Sequence, residues 1–363
     1  MNGLHSKQKL ICFVVLAGLL SISIIPFWNT TKGTVLENPD SPNSSIVLAV
    51  VGDCNGYNIV KYDEESLDPL ASVRTLLNQS DIFLFNLEEA LLPAEDLGAS
   101  TEHPHQSCFV SSPRFAHYMN VESLTVATLA NNHILDGGNI GVEKTKKSLE
   151  ENGIRYLGAG SNATEACKPL ILTVKNIKIG FLSYNLVEDP VFSAKEDAPG
   201  AASFSSCNVI DSIHRLKENA DIVIVVLHWG NSWTQEINTS RIVTADQLAD
   251  AGADVVIGHH PHMLQAVKVH KNKLIIFSLG NFIFRPDYDM PSNAHNSVIA
   301  FINISKGKVR NCYLYPLRID NHGIPRVPTR KDAETILFNL ANLSEIFNTS
   351  IKIKGQIGVV DIP

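Results

Sequence analysis

The 363 residues are 44% hydrophobic and 18% charged, and 30 Lys+Arg against 37 Asp+Glu leave a formal net charge of −7. That apolar fraction supports a real core and excludes wholesale disorder, and the length fits one large domain or two small ones. The acidic balance argues against a nucleic-acid binder, which carries a basic stripe.

In chain order, the first element reads as a membrane segment. Residues 10–28 carry no charge, and Lys7 and Lys9 stand just before them. The run is close to the ~20 residues that cross a bilayer as a helix. The lysines put residues 1–9 in the cytoplasm and everything after Asn29 outside. A cleaved signal peptide is the alternative, but the run is long and no A-x-A site follows, which favours an uncleaved signal-anchor. The expected location is therefore the cell membrane, single-pass, with the C-terminal domain extracytoplasmic. Residues 29–45 are polar, contain Pro39 and Pro42, and read as a linker.

Short apolar runs then alternate with helical patterns. The runs at 46–51, 81–85, 124–130, 220–227 and 253–257 are rich in Val, Ile, Leu and Ala and read as strands covered on both faces. Helices are expected at 141–152, at 240–251 with Ser240 as N-cap and Gly252 as stop, and at 329–343. Hairpins are expected to turn at Lys175-Asn176, Lys271-Asn272 and Lys306-Gly307. The whole predicts one α/β domain over 46–320 with a C-terminal extension, 321–363, packed on it. Six cysteines include Cys12 in the anchor. The odd five outside it show no C-x-x-C pair, so neither a disulfide scaffold nor a zinc ribbon is indicated, and pairing stays open.

The informative pattern lies at the strand ends. The five runs are followed by Asp53, by Glu88, by Asn132-His133, by His228 and by His259-His260-Pro261-His262. Each alone has an ordinary reading, as a turn residue, a helix cap or a buried histidine. Together they matter, because ligands bind beyond the carboxyl ends of strands in α/β sheets. If the strands are neighbours, Asp53, Glu88, Asn132, His133, His228, His260 and His262 share one rim. Such a mixed oxygen and nitrogen set suits Zn, Mn or Fe, and it is too large for one tetrahedral zinc. Two divalent cations about 3.5–4 Å apart would accommodate it.

The strings LANNHILDGGNIGVEKT (129–145), LHWG (227–230), ADAGADVVIGHHPHMLQ (249–265) and FSLGNFIF (277–284), with Gly52-Asp53 and Phe85-Asn86-Leu87-Glu88, carry a resemblance. The chain resembles the CapA/PgsA family of capsule and poly-γ-glutamate synthesis proteins, which is similar in fold to the calcineurin-like metallophosphoesterases. The resemblance implies a layered α/β sandwich. It implies metal ligation by Asp53, Glu88, Asn132, His228, His260 and His262, with Glu88 bridging and His133 as general acid or charge stabiliser. Asp136, His259 and Asn281 would support that set from behind. One departure is plain: the phosphoesterase motif Asp-x-His reads Asp53-Cys54-Asn55 here. The implied function is a metal-dependent hydrolase acting on a phosphoester or an anionic polymer. The alternative is a non-catalytic metal- or polymer-binding accessory subunit working beside other membrane proteins of polymer synthesis or export. A polymer-releasing enzyme of the same pathway would combine the two.

Overall fold

Every residue of the strand Ser45–Cys54 is buried, as are those of Ile82–Leu87, Ile222–His228 and Val255–His259. Strands this apolar need cover on both faces, and the fold supplies it. The structure, a computed structural model, describes residues 45–60, 68–97, 108–187, 190–285 and 290–363. The expected cytoplasmic stub, the anchor and nearly all of the linker lie outside these residues. Among the described residues no helix is long and apolar enough to cross a membrane.

Two mixed sheets form the frame. In the first, Ser45–Cys54, Ile82–Leu87, Leu124–Thr128 and Arg155–Leu157 run parallel in that order. On the other side of Ser45–Cys54 the sheet continues antiparallel through Asn296–Ser305, Lys308–Ile319 and Ile357–Asp361. The segment 321–363 is thus built into the sheet through its last strand, rather than only laid upon the domain. In the second sheet Ile177–Asn185, Ile222–His228, Val255–His259 and Lys273–Ile276 run parallel, with an antiparallel strand at each edge.

Alternation decides what each face meets. Ile222, Ile224 and Val226 join Ile46, Leu48, Val50, Ile82 and Leu84 in one core between the sheets. Val223, Val225 and Leu227 point the other way and pack with Ile213, Leu216, Ala245 and Leu248 of the helices Val209–Lys217 and Thr239–Asp250. A period of two sends successive side chains to opposite faces, so a wholly apolar strand serves both layers.

The local signals act where expected, with one correction. Lys175 and Asn176, Lys271 and Asn272, and Lys306 and Gly307 all have positive φ, the conformation that two-residue hairpins of this hand require. The predicted helices appear as Gly138–Glu151, Thr239–Asp250 and Arg330–Glu345. Ser240 is not the N-cap of its helix: Asn238 is, its side chain accepting the Arg241 N–H at 3.0 Å. Thr329 caps the last helix through the Asp332 N–H. Cys167 and Cys207 form a disulfide, and the buried Cys54 and Cys312 are free thiols.

Candidate metal centre

Strand register brings the polar strand ends together. Asp53, next to last in its strand, pairs with Asn86 on one side and Asn281 on the other. Gly52 makes the second pairing possible. A Cβ there would lie 2.0 Å from the Gly280 carbonyl oxygen, and without one Asp53 N–H donates to that oxygen at 3.0 Å. In the other sheet His228 pairs with His259. The chain then turns through His260 and His262, both at positive φ. Left-handed backbone at two non-glycine residues is strain, and it concentrates here at the site.

Asp53, Glu88, His228, His259, His260 and His262 are all buried. His262 Nδ1 lies 3.3 Å from Asp53 Oδ2, and its Nε2 lies 3.6 Å from Glu88 Oε1. His228 Nε2 lies 3.4 Å from the same Glu88 oxygen, 3.1 Å from His260 Nδ1 and 2.8 Å from Asn132 Oδ1. Two groups emerge, Glu88 with His228 and His260, and Asp53 with Glu88 and His262. Within each, one ligand atom per residue lies within 4.8 Å of the others. Glu88 belongs to both.

The residues around this set hold it in place. His259 Nδ1 lies 3.1 Å from Asp53 Oδ1, and the His260 N–H donates to Asp53 Oδ2 at 3.1 Å. Asn281 Oδ1 lies 3.0 Å from His262 Nδ1. His133 belongs to neither group. Its Nδ1 meets Asp136 Oδ2 at 2.7 Å, and its ring sits 4.4 Å from that of Phe109. Asp136 also accepts the Phe109 N–H, at 2.6 Å. Cys54 is buried outside both groups, and burial pushes its thiol up.

The electrostatics are unusual for a dry interior. Burial raises the Glu88 carboxyl well above its ordinary range, and the charges of Asp53 and Asp136 add to this. Neither Glu88 oxygen has a hydrogen-bond partner among the described residues. Burial acts against the Asp53 carboxylate too, but His259 and His262 beside it win and hold it well below its usual value. Burial, with His260 adding, lowers His228, and burial with His262 adding lowers His260 to about 3. Burial pushes Glu89 up to about 8. A buried carboxyl without a hydrogen-bond partner, beside the His228 and His260 imidazoles kept neutral, is costly as it stands. It is also the donor set a divalent cation satisfies, since metals bind deprotonated carboxylate and neutral imidazole. The residues present therefore fit a divalent metal.

Sequence reasoning did not single out four neighbours. Asn86 Nδ2 donates to Asp53 Oδ1 at 2.9 Å and meets His228 Nδ1 at 3.3 Å, tying one sheet to the other. Its signal was present, an amide inside the apolar run ahead of Glu88. Asn131 in turn donates to Asn86 Oδ1 at 3.2 Å and to the Leu87 carbonyl at 2.7 Å. Trp233 stacks on His262 at 4.8 Å, and Phe284 lies 4.7 Å from the same ring. Nothing in the local pattern marked those two aromatics.

The family described as bacterial capsule synthesis protein PGA_cap matches residues 47–286, and the chain belongs to that family. The chain is 34% identical over 280 residues to the capsule biosynthesis protein CapA of Bacillus anthracis, covering 75% of this chain and 67% of the relative. It is 28% identical over 262 residues to the PGA biosynthesis protein CapA of Bacillus subtilis (strain 168), covering 72% and 67%. Among solved structures it is similar to a phosphatase from Mycoplasma pneumoniae, with 13% identity, a TM-score of 0.45, and coverage of 82% of this chain and 99% of that one.

Proposed function

We propose that this chain is a membrane-anchored, extracytoplasmic protein of capsule or polyglutamate synthesis whose buried centre is a dinuclear metal-dependent hydrolase site. The observation that carries this reading is the pair of ligand groups meeting at Glu88. Asp53, Glu88 and His262 would hold one cation, and Glu88, His228 and His260, with Asn132 beside them, the other. Bound Mn, Zn or Fe supplies Lewis acidity and acidifies water toward neutral pH. The chain's own groups do the rest. Asp136 fixes the His133 ring through Nδ1, and His133 Nε2 is the atom that would deliver a proton to a leaving oxygen. Trp233 and Phe284 cover His262 and keep water from that side of the centre. The substrate class is an anionic phosphoester or polymer bond.

A second reading has its own observation. Asn55, standing where a phosphoesterase would carry histidine, is committed to the backbone. Its Oδ1 accepts the Tyr57 N–H at 2.8 Å, and its Nδ2 donates to the Glu88 carbonyl at 3.3 Å. One cation would then be held with fewer ligands, which favours an accessory subunit that binds metal or polymer without cleaving. The test loads the purified full chain with Mn or Zn and measures metal content and turnover of a generic phosphodiester. Two metals per chain with turnover is the expected result. Metal without turnover supports the accessory role, and neither metal nor turnover overturns the centre. Complementation of a deletion strain by the Asp53→Ala, His260→Ala double variant adds a second arm, since full rescue means a scaffold. For the anchor, removing residues 1–28 should move the protein out of the membrane fraction. Retention there would sink that part of the reading.

A further inference from the structure

A second site lies at the other end of the second sheet. A cleft of about 710 Å³ opens between the short helix Ala163–Ala166, the hairpin strands Leu170–Val174 and Ile177–Asn185, and the helix Val209–Lys217. Lys178 is the second residue of the strand whose far end, Asn185, pairs with His228. Seven residues of strand, about 23 Å, therefore separate Lys178 from Asn185, the strand neighbour of His228.

The chemistry of the cleft is the reverse of that centre. Lys168, Lys178 and Arg215 line it, and no acidic side chain among the described residues does. None of the three belongs to an ion pair among the described residues. Their neighbours Lys146 and Lys217 are tied down, to Glu165 at 2.7 Å and to Asp254 at 2.6 Å. The nearby Asp221 carboxylate accepts the backbone N–H of Lys178 at 2.8 Å. Three cations around one concavity, none in an ion pair among the described residues, are notable in a chain whose net charge is −7. Between them the lining is apolar: Pro169, Leu216 and Ile171, the last 42% exposed. The Cys167–Cys207 disulfide also lines the cleft and joins the segment after the short helix to the segment before the long one. That crosslink fixes the distance between two of its walls.

Cations spaced around an apolar surface match a ligand that alternates carboxylates with methylene groups. We propose that this cleft is a binding site for an aliphatic polycarboxylate chain. The carboxylates pair with Lys168, Lys178 and Arg215, and the methylenes lie on Ile171, Pro169 and Leu216. A polyphosphate would satisfy the cations but leave the apolar surface in water. The site goes beyond the proposed metal centre and does not rest on it.

The experiment measures binding of fluorescein-labelled poly-γ-glutamate to the full chain in detergent with excess EDTA, by fluorescence anisotropy. Binding that weakens with salt is expected, as is a loss of about tenfold in the Lys168→Ala, Lys178→Ala, Arg215→Ala variant. Ile171→Ser should weaken binding at high salt, where the charge contribution is screened. α-Linked and γ-linked polyglutamate as competitors identify which polymer fits better, and preference for either over polyphosphate of matched charge supports the proposal. Wild-type affinity in the triple variant, with its melting temperature unchanged, overturns it. So does polyphosphate competing as well as polyglutamate. Metal content and phosphodiester turnover of the triple variant should equal wild type, so failure here and failure of the metal centre are separable.

Discussion

Two buried carboxylates in this molecule have opposite surroundings. Asp254 accepts from Lys217 at 2.6 Å, from the Val223 N–H at 2.9 Å and from Lys273. Glu88 has no lysine or arginine among its ion-pair contacts and no hydrogen bond to either oxygen, only histidines at 3.4 and 3.6 Å. Both sit just beyond or before strands of the frame. Asp254 is a finished structural joint, because its charge and lone pairs are answered by the chain itself. Neither oxygen of Glu88 has a hydrogen-bond partner among the described residues, and a buried carboxyl in that condition marks a place built for a ligand.

The contrast can be tested by breaking each side. The largest effect is expected from Glu88→Gln, which removes the ligand shared by both groups. Metal-dependent turnover should fall by about a thousandfold or more, equivalent to roughly 4 kcal/mol of barrier. The rise in melting temperature on adding Mn or Zn should vanish with it, because only a bound cation stabilises by mass action. A wild-type metal response in this variant would remove Glu88 from the centre. Asp254→Ala should act on stability instead. It strands Lys217, Lys273 and the Val223 N–H and should cost about 2–3 kcal/mol in a denaturant titration, with metal binding retained. Loss of metal affinity at unchanged stability would mean the two carboxylates had been assigned the wrong way round.

The smallest effect is a pH dependence of the chelator-treated protein. Glu88 and Glu89 have raised values, so the unfolded chain releases their protons first and stability falls as pH climbs above about 4.5. His228 and His260 have lowered values, so stability is lost as pH falls below about 6.5. Between those limits the two pairs oppose each other. Above pH 6.5 the histidine contribution is complete and the glutamates act alone. Between pH 6.5 and 8 Glu89 should account for a drop of about 2 kcal/mol, and Glu89→Gln should make that limb shallower by the same amount, leaving the Glu88 part. An unchanged slope in Glu89→Gln would mean that Glu89 is solvated.

Much of this was legible along the chain. Apolar runs ending in Asp53, Glu88, His228 and His259 announced both the strands and the polar rim, because burial on two faces leaves no other use for a carboxylate or imidazole at the exit. The hairpins were legible because Asn and Gly tolerate positive φ. The division of the rim between two sheets was not. Nothing local tells Ile82–Leu87 to pair with Ser45–Cys54 rather than with Ile222–His228, since both choices bury the same kinds of side chain. Asn86 was passed over as one more strand residue, although its amide links the sheets. The cap at Asn238 lost to Ser240 in the reading because both are good caps two residues apart. The Cys167–Cys207 pairing spans 40 residues with no spacing rule to reveal it.

The contact between Gly52 and Gly280 has a consequence for how the molecule comes into being. Asp53 acquires its Asn281 neighbour only when a segment some 230 positions later in the sequence has docked beside the opening strand. A nascent chain halted between His262 and Asn281 holds all of the ligands yet lacks the wall behind them. Partial molecules should therefore be poor cation scavengers, and affinity should arrive late and all at once, as the last clasp of assembly rather than its seed.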